Sequence, residues 1–144
     1  MRPVEILVVE DSETDVLLTR EALKGAKVLN TTHIVDNGED AMNFLRRLPP
    51  YQEAPLPDLV LLDLNLPRRS GLEVLAEIKA DPALKAIPVI ILTTSQSDED
   101  ALKAYRHHAN SFVTKPLDFR AFQEVLKSLE QFWLCIVKLP PRSE

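Results

Sequence analysis

Aliphatic runs and helical stripes alternate along the chain. The runs at residues 6–9 (ILVV), 59–64 (LVLLDL) and 89–94 (VIILTT) are apolar at successive positions. They lack the period-two alternation of a strand with one wet face, and so read as strands covered on both sides. Residues 32–35 (THIV) and 111–114 (SFVT) are weaker strand candidates. Between them lie helical patterns. Residues 12–26 open with Ser12 as a candidate N-cap, carry Asp15 three positions on, and meet Gly25 near the end. Residues 38–48 read as a helix stopped by Pro49-Pro50. Residues 70–80 place Leu72, Leu75 and Ile78 at helical spacing before Asp81-Pro82. Residues 97–108 begin acidic and end basic, as a helix dipole prefers. A last helix over residues 118–137 carries the stripe Phe119, Phe122, Leu126, Leu129, Trp133 and Ile136.

The order βαβαβαβαβα predicts an α/β fold, a doubly wound parallel sheet with helices on both faces. One domain spans residues 1–144, with a core over about 4–133 and a C-terminal extension over 134–144. Residues 49–58, with four prolines in ten, form a stiff connection rather than an element. Composition adds exclusions. The net charge is −5, from 17 basic and 22 acidic residues, and the basic ones are scattered, so no nucleic-acid footprint is present. The longest apolar run, residues 132–137 (FWLCIV), is too short to span a bilayer, so no membrane role is expected. A lone Cys135 makes no internal disulfide, which fits a reducing compartment and a cytoplasmic location. Cys135 itself lacks the electropositive setting of a reactive thiol. The adjacent His107 and His108 do not share a helix face, and His33 falls in or near the second strand.

The chemistry sits where strands end. Glu10 and Asp11 close the first run, Asp63 the third and Thr93 the fourth, while Lys115 follows the fifth. In an open α/β sheet, ligands lie beyond the carboxyl ends of the strands. If the first and third strands are neighbours, three carboxylates share a crevice with a hydroxyl and an ammonium. Clustered carboxylates resist ionising together. A hard cation such as Mg²⁺, with oxygen ligands and a phosphoryl group, removes that conflict. Each residue alone is as easily a strand-end acid, a strand threonine or a surface lysine; the combination at successive strand ends carries the reading.

The motifs VEDSETD, LLDLNLPRRSG, PVIILTT and FVTKP, in that order, resemble the receiver domain of two-component response regulators over nearly the whole chain. The resemblance implies a flavodoxin-like five-stranded sheet in the order 2-1-3-4-5. It implies that Asp63 is the phosphoacceptor. Asp11 binds Mg²⁺ directly, with Glu10 assisting through water and Asn65 giving its backbone carbonyl. Thr93 bonds a phosphoryl oxygen, Lys115 pairs with the phosphoryl group, and the Lys115–Pro116 peptide is cis. Pro67 and Gly71 shape the loop after Asp63. Phe112 takes the place of the aromatic switch residue, where tyrosine is frequent. Thr94 stands where a smaller residue is common.

The resemblance further implies a signalling protein rather than an enzyme, phosphorylated by a sensor histidine kinase. The proline-rich loop, the LNLPRRSG turn and the apolar C-terminus are similar to the receiver-only subgroup partnered with bacterial phytochromes. The length leaves no room for a DNA-reading domain, so output by protein contact is expected. Residues 132–137, apolar all round, suggest a homodimer through the fourth helix, fifth strand and last helix, with Phe132, Trp133 and Ile136 at the interface; the bland alternative folds this stretch onto its own domain. A pseudo-receiver would show a broken acid set, and this set is intact. A phosphate sink in a relay would share every motif. A haloacid-dehalogenase-type phosphatase would need an acid where Asn65 stands, and an FMN carrier would not place EDSETD against a phosphate.

Overall fold

A computed structural model describes residues 3–25, 29–93 and 111–114, together with two helical positions, Arg120 and Glu124. The elements in chain order are β1 (Val4–Val9), α1 (Glu13–Lys24), β2 (Asn30–Val35), α2 (Gly38–Leu45), β3 (Leu59–Asp63), α3 (Gly71–Ala80), β4 (Val89–Thr93) and β5 (Ser111–Thr114). The strands form one parallel sheet in the order β2-β1-β3-β4-β5. The expected helices over 97–108 and 118–137 lie outside the described residues, apart from Arg120 and Glu124.

The unalternating apolar runs follow from two cores. Leu7, Val9, Val60, Leu62, Val89 and Ile91 point to one face, where α2 adds Met42 and Phe44 and α3 adds Val74, Leu75 and Ile78. Ile6, Val8, Leu59, Leu61, Ile90 and Leu92 point to the other, where α1 adds Ala22 and Leu23. Both sets of strand residues are buried, which is why β1, β3 and β4 have no polar face. Leu75→Ala is expected to cost about 3–4 kcal/mol, the usual price of emptying a fully buried leucine site. A lowered denaturant midpoint at unchanged slope is the check.

The helix starts follow local chemistry. Ser12, Asn37 and Ser70 are the N-caps, and their side-chain oxygens accept the backbone N–H groups of Asp15, Asp40 and Glu73. The end of α2 departs from expectation. The helix stops at Leu45 instead of running to Leu48. Arg47 takes a left-handed φ of 55°, its N–H reaches the Phe44 carbonyl at 3.2 Å, and Leu48 N–H reaches the Asn43 carbonyl at 2.9 Å. That is a Schellman ending with arginine in the position glycine normally fills. The strand β2 starts at Asn30, two residues before the aliphatic pattern, and Asn30 Nδ2 caps the Leu23 carbonyl at 3.1 Å.

The proline-rich connection is ordered by packing. Tyr51, Ala54 and Leu56 rest against the core, and the Tyr51 ring meets that of Phe44 at a tilt of 55° with centroids 5.4 Å apart. Asp58 fastens its end to β1: its N–H donates to the Glu5 carbonyl at 2.7 Å, and its Oδ2 accepts Glu5 N–H at 2.8 Å. After α3, the Lys79 ammonium donates to the Lys85 and Ile87 carbonyls at 3.1 and 2.7 Å, and partial burial pushes its pKa down.

Candidate functional site

The sheet register assembles the site. Val9 of β1 pairs with Leu62 of β3, so Glu10 and Asp63 come one step later on adjacent strands. Asp63 pairs with Leu92 of β4, and Thr93 pairs with Thr114 of β5. The carboxyl edge therefore presents Glu10, Asp63 and Thr93 in a row, with position 115 following the last paired residue of β5. Each of Glu10, Asp11 and Asp63 offers a carboxylate oxygen within 4.8 Å of the others. Glu10 and Asp63 are buried at 1% and 4% exposure, whereas Asp11 is exposed. The cluster thus has two buried acids and one that reaches solvent.

Local bonds hold these groups. Glu10 N–H extends the ladder to the Val35 carbonyl at 3.0 Å, and Glu10 Oε2 accepts Ser12 N–H at 3.1 Å. The chain turns from strand into α1 around a carboxylate that faces the pocket. Beyond β3, Leu64 N–H reaches the Leu92 carbonyl at 3.2 Å and Asn65 N–H donates to Asp63 Oδ1 at 3.1 Å. The loop after Asp63 thereby orients the carboxylate itself. Asn65's side chain is exposed.

Two glycines allow the close approach. A Cβ on Gly71 would overlap the Asp63 carbonyl and the Leu64 Cα, so the first turn of α3 lies directly on the backbone of the acid. A Cβ on Gly38 would overlap the Arg69 carbonyl, so α2 starts against the same loop. Arg68, within that loop, has a φ of 69°, a strained region for a residue with a side chain.

At an effective dielectric of 20, two ionised carboxylates this close repel by about 3–4 kcal/mol, less where Asp11 reaches water. The donor set is all oxygen, small and doubly buried. It fits a hard divalent cation that keeps part of its water shell, with Glu10, Asp11 and Asp63 as the side chains able to hold it.

Of the other residues singled out from the sequence, Thr93 ends β4 and Phe112 lies in β5 opposite Ile91. Thr94, Lys115, the Lys115–Pro116 peptide, Phe132, Trp133 and Ile136 fall outside the described residues. The sequence reading named Pro67 and Gly71 for the loop but missed the part played by Gly38, whose signal was faint: a glycine at the first helical position, where many residues serve.

A doubly wound parallel sheet with acids gathered at its carboxyl edge is the architecture of a signalling receiver. The chain belongs to the response regulator receiver domain family, whose model matches residues 6–127. It is 44% identical over 138 residues to the response regulator Rcp1 of Synechocystis sp., covering 96% of this chain and 94% of that protein. The crystal structure of the phosphorylated cyanobacterial phytochrome response regulator RcpA superposes with a TM-score of 0.82 at 43% identity, over 92% of this chain and 95% of that one. The Mn²⁺-bound form of Rcp1 also gives 0.82 at 43% identity, over 96% and 100%. Among the described residues, no helix is long and apolar enough to cross a membrane.

Proposed function

We propose that the chain is a phosphorylation switch in which Asp63 accepts a phosphoryl group from a phosphohistidine of a sensor histidine kinase, of the phytochrome class. The observation that carries this reading is the convergence of Glu10, Asp11 and Asp63, with Asn65 N–H on the Asp63 carboxylate. The likeness to the phytochrome response regulator RcpA supports the phytochrome assignment.

An Asp63 oxygen attacks phosphorus, a P–O bond forms, the P–N bond to the donor imidazole breaks, and the imidazole keeps the electron pair and takes a proton. Glu10, Asp11 and Asp63 would hold Mg²⁺, aided by the Asn65 carbonyl. The bound cation would screen the charge on the phosphoryl oxygens. Lys115 pairs with that charge, and Thr93 bonds a phosphoryl oxygen and draws in the segment after β4. Phe112 then moves inward. Water later cleaves the acyl-phosphate and resets the switch. The output is protein contact, through a homodimer whose interface includes Phe132, Trp133 and Ile136; the apolar stretch 132–137 supports it.

Beryllofluoride, which mimics a phosphoryl group on aspartate, tests both parts. Calorimetric titration is expected to show binding with Mg²⁺ and none in EDTA, and light scattering a dimer mass in the bound state. No binding with Mg²⁺ would overturn the phosphoacceptor role. Binding to a protein that stays monomeric would overturn the dimer alone.

A further inference from the structure

The loop of residues 64–70 carries the Asn65 N–H to Asp63, yet its shape is not one its own residues favour. Arg68 sits at φ 69° without being glycine. Such a conformation persists only where neighbours enforce it. Across Arg68 the Arg69 N–H donates to the Pro67 carbonyl at 2.8 Å, and from outside the loop one carboxylate on α3 holds the neighbouring Arg69 side chain. Glu77 Oε2 accepts Arg69 Nη1 at 2.5 Å, and Glu77 Oε1 lies 3.7 Å from Nη1 of Arg46. Arg46 is the C-cap of α2. Glu77 thus ties together the loop, α3 and the end of α2, while the start of α2 meets the same loop: Gly38 N–H points to the Pro67 carbonyl at 3.5 Å.

We infer that Glu77 is a positioning residue for the phosphoacceptor loop, acting through Arg69 to hold the Asn65 backbone against Asp63. The inference rests on the proposed role of Asp63. Its bland rival is a surface ion pair of the kind that contributes little. Three features separate it from that rival. The partners are eight residues apart, so the pair does not simply staple one helix turn to the next. Two guanidinium groups converge on one carboxylate. Arg69 and Glu77 are 33% and 34% exposed, which shields the pair in part from solvent.

The single variants Glu77→Gln and Arg69→Gln test this against wild type, with Arg69→Lys, which keeps the charge and leaves the Glu77–Arg46 pair in place, as the conservative rescue. Two readouts are used: hydrogen exchange of the Asn65 amide in metal-free protein, and Mg²⁺ affinity by calorimetry. Each single variant is expected to speed Asn65 exchange severalfold, with exchange in the β1 core unchanged. Mg²⁺ affinity is expected to fall by about 3- to 10-fold, less than the roughly 10- to 100-fold lost when a group bonded directly to a metal ligand is removed. Arg69→Lys is expected to recover part of both. Unchanged Asn65 exchange in both single variants would overturn the inference, whatever their melting temperatures do. A wild type that binds no Mg²⁺ would sink the proposed function, and the exchange measurement would still decide the role of Glu77.

Discussion

Asp63→Asn is expected to reduce phosphoryl incorporation from a small-molecule donor such as acetyl phosphate by at least about a thousandfold, since loss of a nucleophile alone can remove most of a site's rate enhancement. The substitution is nearly isosteric and keeps an oxygen able to accept Asn65 N–H, so the loop geometry survives. What it removes is the nucleophile and one of three clustered negative charges. The first loss stops the chemistry. The second lowers the attraction for a divalent cation and also lifts part of the repulsion in the metal-free state.

A second expectation follows with a definite sign. A ligand that binds only the folded state stabilises it by RT ln(1 + [L]/Kd), about 2.7 kcal/mol at a hundredfold excess over Kd. Mg²⁺ is therefore expected to raise the melting temperature of wild type more than that of Asp63→Asn. Equal increments in the two proteins would mean that Asp63 is not a metal ligand. Residual phosphorylation of the variant at wild-type rate would place the acceptor elsewhere.

The acid pocket was legible because its logic is one-dimensional. Parallel strands end on a common edge, so residues just past each aliphatic run become neighbours without any knowledge of packing. Glu10, Asp11 and Asp63 meet for that reason. The same holds for β1, β3 and β4, whose unbroken apolar runs reflect two covered faces, and for α1, whose cap is Ser12 as expected. Features decided by tertiary packing were not legible. Arg47 in a left-handed cap shortens α2, and no residue type there announces it. Asn30 and Thr31 join β2 because β1 offers ladder partners, although both are polar. Arg69 and Glu77 lie in separate local units, the loop and the second turn of α3, and only the fold brings them together.

Gly71→Ala is expected to destabilise the protein by about 2–3 kcal/mol, toward the upper end of overpacking costs. The argument is geometric. The new methyl group would overlap backbone atoms, the Asp63 carbonyl oxygen and the Leu64 Cα, rather than the end of a side chain that could swing away. Relief requires α3 to lift from the end of β3, which stretches the Gly71 N–H bond to the Leu64 carbonyl, now 3.0 Å. Because the displaced backbone belongs to Asp63, Mg²⁺ affinity is expected to fall with stability. Gly25→Ala is the matched control. Gly25 is exposed, with φ −80°, which alanine adopts freely. It gains the same reduction in unfolded-chain freedom and is expected to stabilise by about 0.4–1 kcal/mol. The difference between the two variants, read from denaturant midpoints, isolates the contact between helix and acid. If Gly71→Ala proves as stable as Gly25→Ala and binds Mg²⁺ as wild type does, the first turn of α3 does not brace the phosphoacceptor, and the loop must be held by Gly38 and the Arg69–Glu77 pair alone.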